Sequence, residues 1–342
     1  MRILFPSLKV GALFLCGLSL GAFGVGAQPL PLTWPTPNSA WLEGRGQEDF
    51  LQPTASGNLH SALFGCVRRN ADGSPRFHEG LDLKSIQRDR RGESTDPIFA
   101  ILPGVVVHVS RVAGHSSYGI YVVIEHQDIH PPIHSMYAHL RSVDESIRPG
   151  VRVREGQQIG IMGRTAGGYT IPRERAHLHL EMGFRITDDF QRWFDQQGFG
   201  SPNRHGRFNG MNLVGFDPLD FFTKYRAGEV RSVLDYLRAE PVGFTLQVNS
   251  RKVPDFIQRY PHLLGRPIPA GGPRAWEIDF TWYGLPVRWT PLTTSPGERG
   301  EVRVVWYDEE LMTANACRRT LLIRRGQPVL GAHTERVLEL LF

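Results

Sequence analysis

Cysteine is scarce: there are three in 342 residues, at positions 16, 66 and 317. So few, so far apart, exclude a disulfide-dense scaffold and a zinc site built on cysteine pairs. Strong charge of either sign is also missing. The formal net charge is +5, and no basic stripe is interleaved with aromatics in the manner of a single-strand nucleic-acid binder. Internal repeats and low-complexity tracts are absent, which removes solenoids and long disordered linkers. The apolar stretch Val10–Phe23 (VGALFLCGLSLGAF) has 14 residues, too short to cross a bilayer comfortably.

What is present reads as an exported globular protein. Met1, Arg2 and Lys9 precede the apolar stretch, and Val25-Gly26-Ala27 offers small residues before Gln28. That is the pattern of a signal peptide over residues 1–27, with an uncleaved anchor as the alternative. Leu15 directly before Cys16 makes a poor lipoprotein box. Cleavage removes two basic residues and leaves a charge of +3, a mild bias compatible with an acidic wall polymer or an anionic envelope surface. The expected location is periplasmic or extracellular, with no transmembrane segment after cleavage and no nucleic-acid partner. Cys66 and Cys317 can pair in such a compartment; otherwise they are two buried thiols.

Residues 28–55 are proline-rich and irregular, an extended lead-in expected to pack on the surface through Trp34 and Trp41. From 56 to 225, short β-branched segments alternate with glycine turns: Ile101–Val109, Ile120–His126, Ser135–Leu140, Gln158–Met162 and Ala176–Met182. Such spacing predicts a mainly β domain, an antiparallel sheet or sandwich. Thr187–Gln197 predicts a helix with Thr187 as its N-cap. Residues 226–342 change character and predict a smaller α+β module. It has helices over Glu229–Glu240 and Pro254–Leu264, and strands within Trp276–Trp289 and over Val302–Tyr307. The segment FTWYGLPVRW, 280–289, reads either as core aromatics or as a glycan-binding surface.

Three short patterns carry candidate chemistry. On a strand, His177, His179 and Glu181 share one face, and Leu178, Leu180 and Met182 point into a core. His78 and Asp82 lie four apart in FHEGLDL. A straight strand would separate them by about 13 Å, so joint binding of one ion requires a bend near Glu79-Gly80. In MYAHL, alternation puts Tyr137 and His139 on one face, opposite Met136, Ala138 and Leu140. Taken alone, each pattern has an ordinary reading as a surface or half-buried strand residue. Together, two histidines and a carboxylate suit a catalytic zinc that leaves a position open. Two further histidines could then handle protons or an oxyanion. His126 is expected to hydrogen-bond the backbone. His115, His130, His134 and His205 are expected in loops, and Glu181 either orients a ligand or is a surface acid.

In order, the segments HEGLDL, GVVVHV, YVVIEH, YAHL, VREGQQIGIMGRT, HLHLEM and DPLDF resemble the lysostaphin-type (LytM-like) zinc endopeptidases of bacterial cell walls, over about Ser61 to Phe222. The resemblance implies one zinc ion per chain, held by His78, Asp82 and His179. It implies His139 and His177 as the catalytic histidines that do not bind the metal, and a peptidoglycan peptide as substrate. Three departures put substrate choice in doubt: a charged insertion between Asp82 and Pro97, a longer loop between Thr165 and His177, and a delayed DPL at 217–219. The rival expectations are a non-enzymatic relative that activates other wall hydrolases, a wall-binding protein with a structural metal, and a zinc hydrolase of another envelope peptide.

Overall fold

The protein is seen here as a computed structural model that describes residues 29–342. The export signal read in residues 1–27 lies outside the described residues. Among the described residues, no helix is long and apolar enough to cross a membrane.

The larger sheet is antiparallel throughout. Its strands run in the order Leu213–Phe216, His177–Arg185, Ile133–Leu140, Ile120–His126, Gly104–Ser110 and Arg152–Val153. A further strand, Leu81–Lys84, pairs with the first half of His177–Arg185, on the edge where Leu213–Phe216 takes the second half. The central strands alternate as their sequences predict. Leu178, Leu180 and Met182 enter the main core, while the odd-numbered side chains from 177 to 181 go to the other face. A small second cluster lies on that other face, where Tyr121, Val123, Met136 and Ala138 meet Phe208 and Leu213. The late insertion before the DPL segment therefore covers part of the sheet with Phe208.

The DPL segment itself is a helix start. Asp217 accepts from the backbone amides of Leu219 (2.9 Å) and Asp220 (3.1 Å), and Pro218 opens the helix Pro218–Ala227. Gly228, at φ 74°, closes it.

The C-terminal residues build a second antiparallel sheet in the order Pro286–Leu292, Ala275–Thr281, Val242–Val248 and Val302–Tyr307. Apolar packing runs without a break from Trp34 through both sheets to Leu341 in the helix Ala332–Leu341. Cys66 and Cys317 form a disulfide between the strand Gly65–Arg69 and the turn Ala316–Arg318. Of the two readings of 280–289, the core reading holds: Phe280, Tyr283 and Trp289 are buried, so these rings are not a glycan-binding surface.

Three expectations are corrected. The helix over Thr187–Gln197 begins only at Phe190. Thr187 does not cap it; its hydroxyl instead bonds Asp255 at 3.3 Å. The helix expected from Glu229 starts at Val233, behind Ser232, whose side chain accepts from the amide of Asp235. His134 is a buried strand residue rather than a loop residue.

The proline-rich lead-in is not merely packed on the surface, as expected, but enters the core through Trp34, Ala40 and Phe50. Trp34 stacks on Trp41 with ring centroids 4.6 Å apart, and meets Phe50 and Phe222 edge-on at 6.2 and 5.3 Å. Trp34→Ala is expected to cost about 3–5 kcal/mol of unfolding free energy in a denaturant titration. A loss below about 1 kcal/mol would show that the lead-in is only draped on the surface.

Candidate metal centre

The bend needed between His78 and Asp82 is there. The strand Pro75–His78 belongs to a separate two-stranded pairing with Gly65–Arg69, and the chain turns at Glu79-Gly80 to enter the larger sheet at Leu81. Gly80 packs tightly against the neighbouring strand. A Cβ there would lie 2.4 Å from the carbonyl oxygen of Leu180 and 2.9 Å from Cε1 of His179. The absence of a side chain is what lets the turn fold onto the ring of His179. Asp82 then sits directly across from His179 in the strand register.

Three buried atoms converge here. Nε2 of His78 lies 3.1 Å from Nδ1 of His179 and 3.2 Å from Oδ1 of Asp82, and Nδ1 of His179 lies 2.9 Å from the same oxygen. The ring protons are committed elsewhere. Nδ1 of His78 donates to the carbonyl oxygen of Leu63 at 2.7 Å, and Nε2 of His179 donates to Glu181 at 2.9 Å. Carbonyl and carboxylate oxygens can only accept, so the three converging atoms present lone pairs to one another. Such an arrangement is unstable when dry.

One extra proton, on Nδ1 of His179, could bridge only two of the three. Burial opposes that charge, but hydrogen bonds to Asp82 and Glu181 outweigh it and raise the His179 pKa to about 9. A divalent metal ion satisfies all three at once. Tetrahedral zinc bonds of about 2.0–2.1 Å would place ligand atoms about 3.3 Å apart, within a few tenths of the distances found. The donor set therefore fits zinc, and His78, Asp82 and His179 could hold such an ion.

The surroundings orient these donors. Glu181 also accepts from the hydroxyl of Tyr118 at 2.8 Å. The pair fixes the His179 ring in the manner of a carboxylate–histidine–metal relay. The guanidinium of Arg68 is paired with Oδ2 of Asp82, so only Oδ1 faces the centre. Burial works against ionising Asp82, yet His78, His177 and Arg68 around it hold its carboxyl well below the usual range.

His139 and His177 stand beside the centre, their rings 4.9 Å apart and that of His139 5.8 Å from His179. Each gives its Nδ1 proton to a backbone carbonyl at 2.8 Å, His139 to Thr165 and His177 to Arg175. Each Nε2 is therefore free to accept a proton. Burial lowers both pKa values, and the neighbouring histidines lower that of His139 further. Both rings are neutral at neutral pH.

One sequence expectation fails here for a definite reason. Tyr137 and His139 do not share a face. Tyr137 packs in the main core and donates no side chain to the site, while His139 reaches the histidine cluster. The register between Ile120–His126 and Ile133–Leu140 slips at this point, and His139 takes φ 61°. Its amide bonds the carbonyl of Tyr118 at 2.9 Å. A bulge with a left-handed residue turns the side chain to the opposite face.

The remaining histidines separate. His126 bonds the carbonyl of Pro103 and the hydroxyl of Ser135, both at 2.8 Å, as expected of a structural residue. His205 bonds the Tyr121 hydroxyl at 2.6 Å and lines the groove. Arg68 and Tyr118 were not singled out in the sequence. Neither has a local signal: Arg68 reaches Asp82 from the neighbouring strand Gly65–Arg69, and Tyr118 reaches Glu181 from a turn 63 residues before it.

These groups form the floor of an open groove of about 730 Å³. Two departures from the resembled family meet beside it. Glu93 of the first insertion takes Arg164 in a two-bond pair at 2.9 Å and Arg173 at 3.1 Å.

Residues 76–189 match the model of peptidase family M23, a span that contains all five histidine and aspartate positions. Among solved structures, a zinc-containing peptidase from Vibrio cholerae is 24% identical over 39% of this chain and 35% of its own, with a TM-score of 0.28. The chain thus spans about a third of the length of that peptidase. The catalytic domain of the prophage-encoded M23 protein EnpA from Enterococcus faecalis is 22% identical over 39% and 79%, TM-score 0.27. The catalytic domain of the antimicrobial peptidase lysostaphin from Staphylococcus simulans is 19% identical over 47% and 89%, TM-score 0.30. No match was found among curated proteins.

If Glu181 orients His179, Glu181→Gln should lower zinc affinity about 10–100-fold in a chelator competition titration. Unchanged affinity with an intact fold would return Glu181 to the role of an ordinary strand acid.

Proposed function

We propose, from the premise that residues 76–189 form a domain of peptidase family M23, that this chain is a zinc-dependent endopeptidase cutting peptide cross-links of bacterial peptidoglycan. One observation carries the reading. Three buried lone pairs meet at a point that only a cation satisfies, beside two neutral histidines with free Nε2 atoms.

In this reading His78, Asp82 and His179 hold one zinc ion. Zinc supplies Lewis acidity, polarising a carbonyl oxygen and making water more acidic near neutral pH. The protein's own groups do the rest. His139 and His177, uncharged before reaction, can each take a proton at Nε2. The protonated ring then stands beside the tetrahedral oxyanion until it gives that proton to the leaving amine. The backbone carbonyls of Thr165 and Arg175 hold both rings in the tautomer this requires. A purely structural metal site would need neither histidine. The filling of all five positions also speaks against a non-enzymatic activator.

Residues 56–225 are the catalytic region in this proposal, and 226–342 are a C-terminal module attached to it. Export fits the Cys66–Cys317 disulfide, a bond characteristic of oxidising compartments. The signal peptide read in residues 1–27 would direct it.

Asp82→Ala is expected to lose zinc by elemental analysis. His139→Ala should keep one zinc per chain while kcat/KM on purified muropeptides falls about 10²–10⁴-fold. Mass spectrometry of the digest identifies the new amine. An Asp82→Ala protein that binds zinc stoichiometrically and still cuts muropeptides would end the assignment.

A further inference from the structure

The groove is not lined by the catalytic region alone. Arg318 and Arg336, both from the C-terminal residues, face the same cavity as the metal centre. Arg318 directly follows Cys317, so the disulfide to Cys66 ties it to the strand beside the site. Its guanidinium lies 4.0 Å over the ring of Phe77 and donates to Glu79 at 2.9 Å. These are the residues on either side of His78. A third bond runs from Nε to the carbonyl oxygen of Tyr283 at 3.3 Å. The Arg318 side chain is only 10% exposed.

Arg336, on the helix Ala332–Leu341, bonds Nδ1 of His333 at 2.9 Å. Its Nε is buried with no partner among the described residues. Neither Nη2 of Arg318 nor Nη1 of Arg336 has a partner among them either.

Three carboxylates lie nearby, and none of them forms an ion pair with Arg336. Of the acids nearby, Glu79 pairs with Arg318, and Glu181 is committed to His179 and Tyr118. Glu339, on the same helix as Arg336, accepts from the indole of Trp193. Burial lowers both guanidinium pKa values; Glu79 and Glu181 oppose this for Arg318, while the charge of Arg318 adds to it for Arg336. A buried charged donor left without an acceptor is costly, and the cost is relieved when an anion binds. The fork of a guanidinium suits a planar carboxylate with two oxygens.

We propose that Arg318 and Arg336 form a carboxylate-binding subsite, through which the C-terminal module selects substrate peptides bearing free carboxylates. The inference deepens the peptidase reading and rests on it for the identity of the substrate. Arg318 is positioned by the disulfide, the Phe77 ring and Glu79, so its end of the subsite is fixed relative to His78. It binds the substrate away from the reacting atoms and takes no part in proton transfer.

The test is a binding measurement on the full zinc-loaded chain carrying His139→Ala, so that the probe survives. The probe is a fluorescein-labelled stem tetrapeptide ending in D-alanine, compared with the same peptide having every carboxylate converted to carboxamide. Fluorescence anisotropy should show the acid bound at least tenfold more tightly than the amide. Arg336→Gln, added to that background, should reduce the preference to less than threefold while the affinity for the amide and the zinc content stay unchanged. Arg318→Gln should do the same. Its packing on Phe77 risks the fold, so circular dichroism is recorded and Arg336→Gln decides if it unfolds. Equal affinity for acid and amide, no measurable binding of the acid, or a preference that survives Arg336→Gln overturns the subsite. Hydrolysis is scored separately on the chain without substitutions. A protein that prefers the acid yet cuts no muropeptide would sink the peptidase reading and leave the subsite standing.

Discussion

The structure depends on a conflict among three acceptors. His78, Asp82 and His179 bring lone pairs to within 3.2 Å of one another in a buried place. No arrangement of their own protons relieves all three contacts. The surrounding chain maintains the conflict. Leu63 and Glu181 take the ring protons that could have softened it, and Arg68 occupies the outer oxygen of Asp82. Gly80 lets the turn between His78 and Asp82 close onto the ring of His179. A fold that spends this many groups on keeping lone pairs bare is preorganised for a cation.

The same economy governs the two histidines beside the centre. Their Nδ1 protons are fixed by backbone carbonyls rather than by carboxylates, which holds each ring in the tautomer that leaves Nε2 without a proton. Burial reinforces this by favouring the neutral form. His139 reaches its place only through a left-handed backbone residue in a bulge, a conformation of the kind that clusters at functional sites.

Much of this was legible in the sequence because strands impose a period of two. The alternation of His177, Leu178, His179 and Leu180 correctly divides site from core, and the impossible span from His78 to Asp82 correctly demands a bend at Gly80. The same rule misplaces His139, because a single bulge reverses the alternation and MYAHL carries no glycine to announce it. Glu181 was visible as a question but not as an answer. Its partner Tyr118 comes from a loop 63 residues away, and loop geometry has no period to read. The arginines of the C-terminal residues were invisible for a similar reason. Their place is set by a disulfide spanning 251 residues and by packing across two sheets.

X-ray absorption at the zinc edge of the loaded protein tests the central claim most directly. The account predicts one zinc per chain in four-coordinate geometry, with two imidazole nitrogens and a one-oxygen carboxylate at about 2.0–2.1 Å. A shell of five or six oxygen donors, or one with a single imidazole, would contradict it and show that His78, Asp82 and His179 do not hold the ion together.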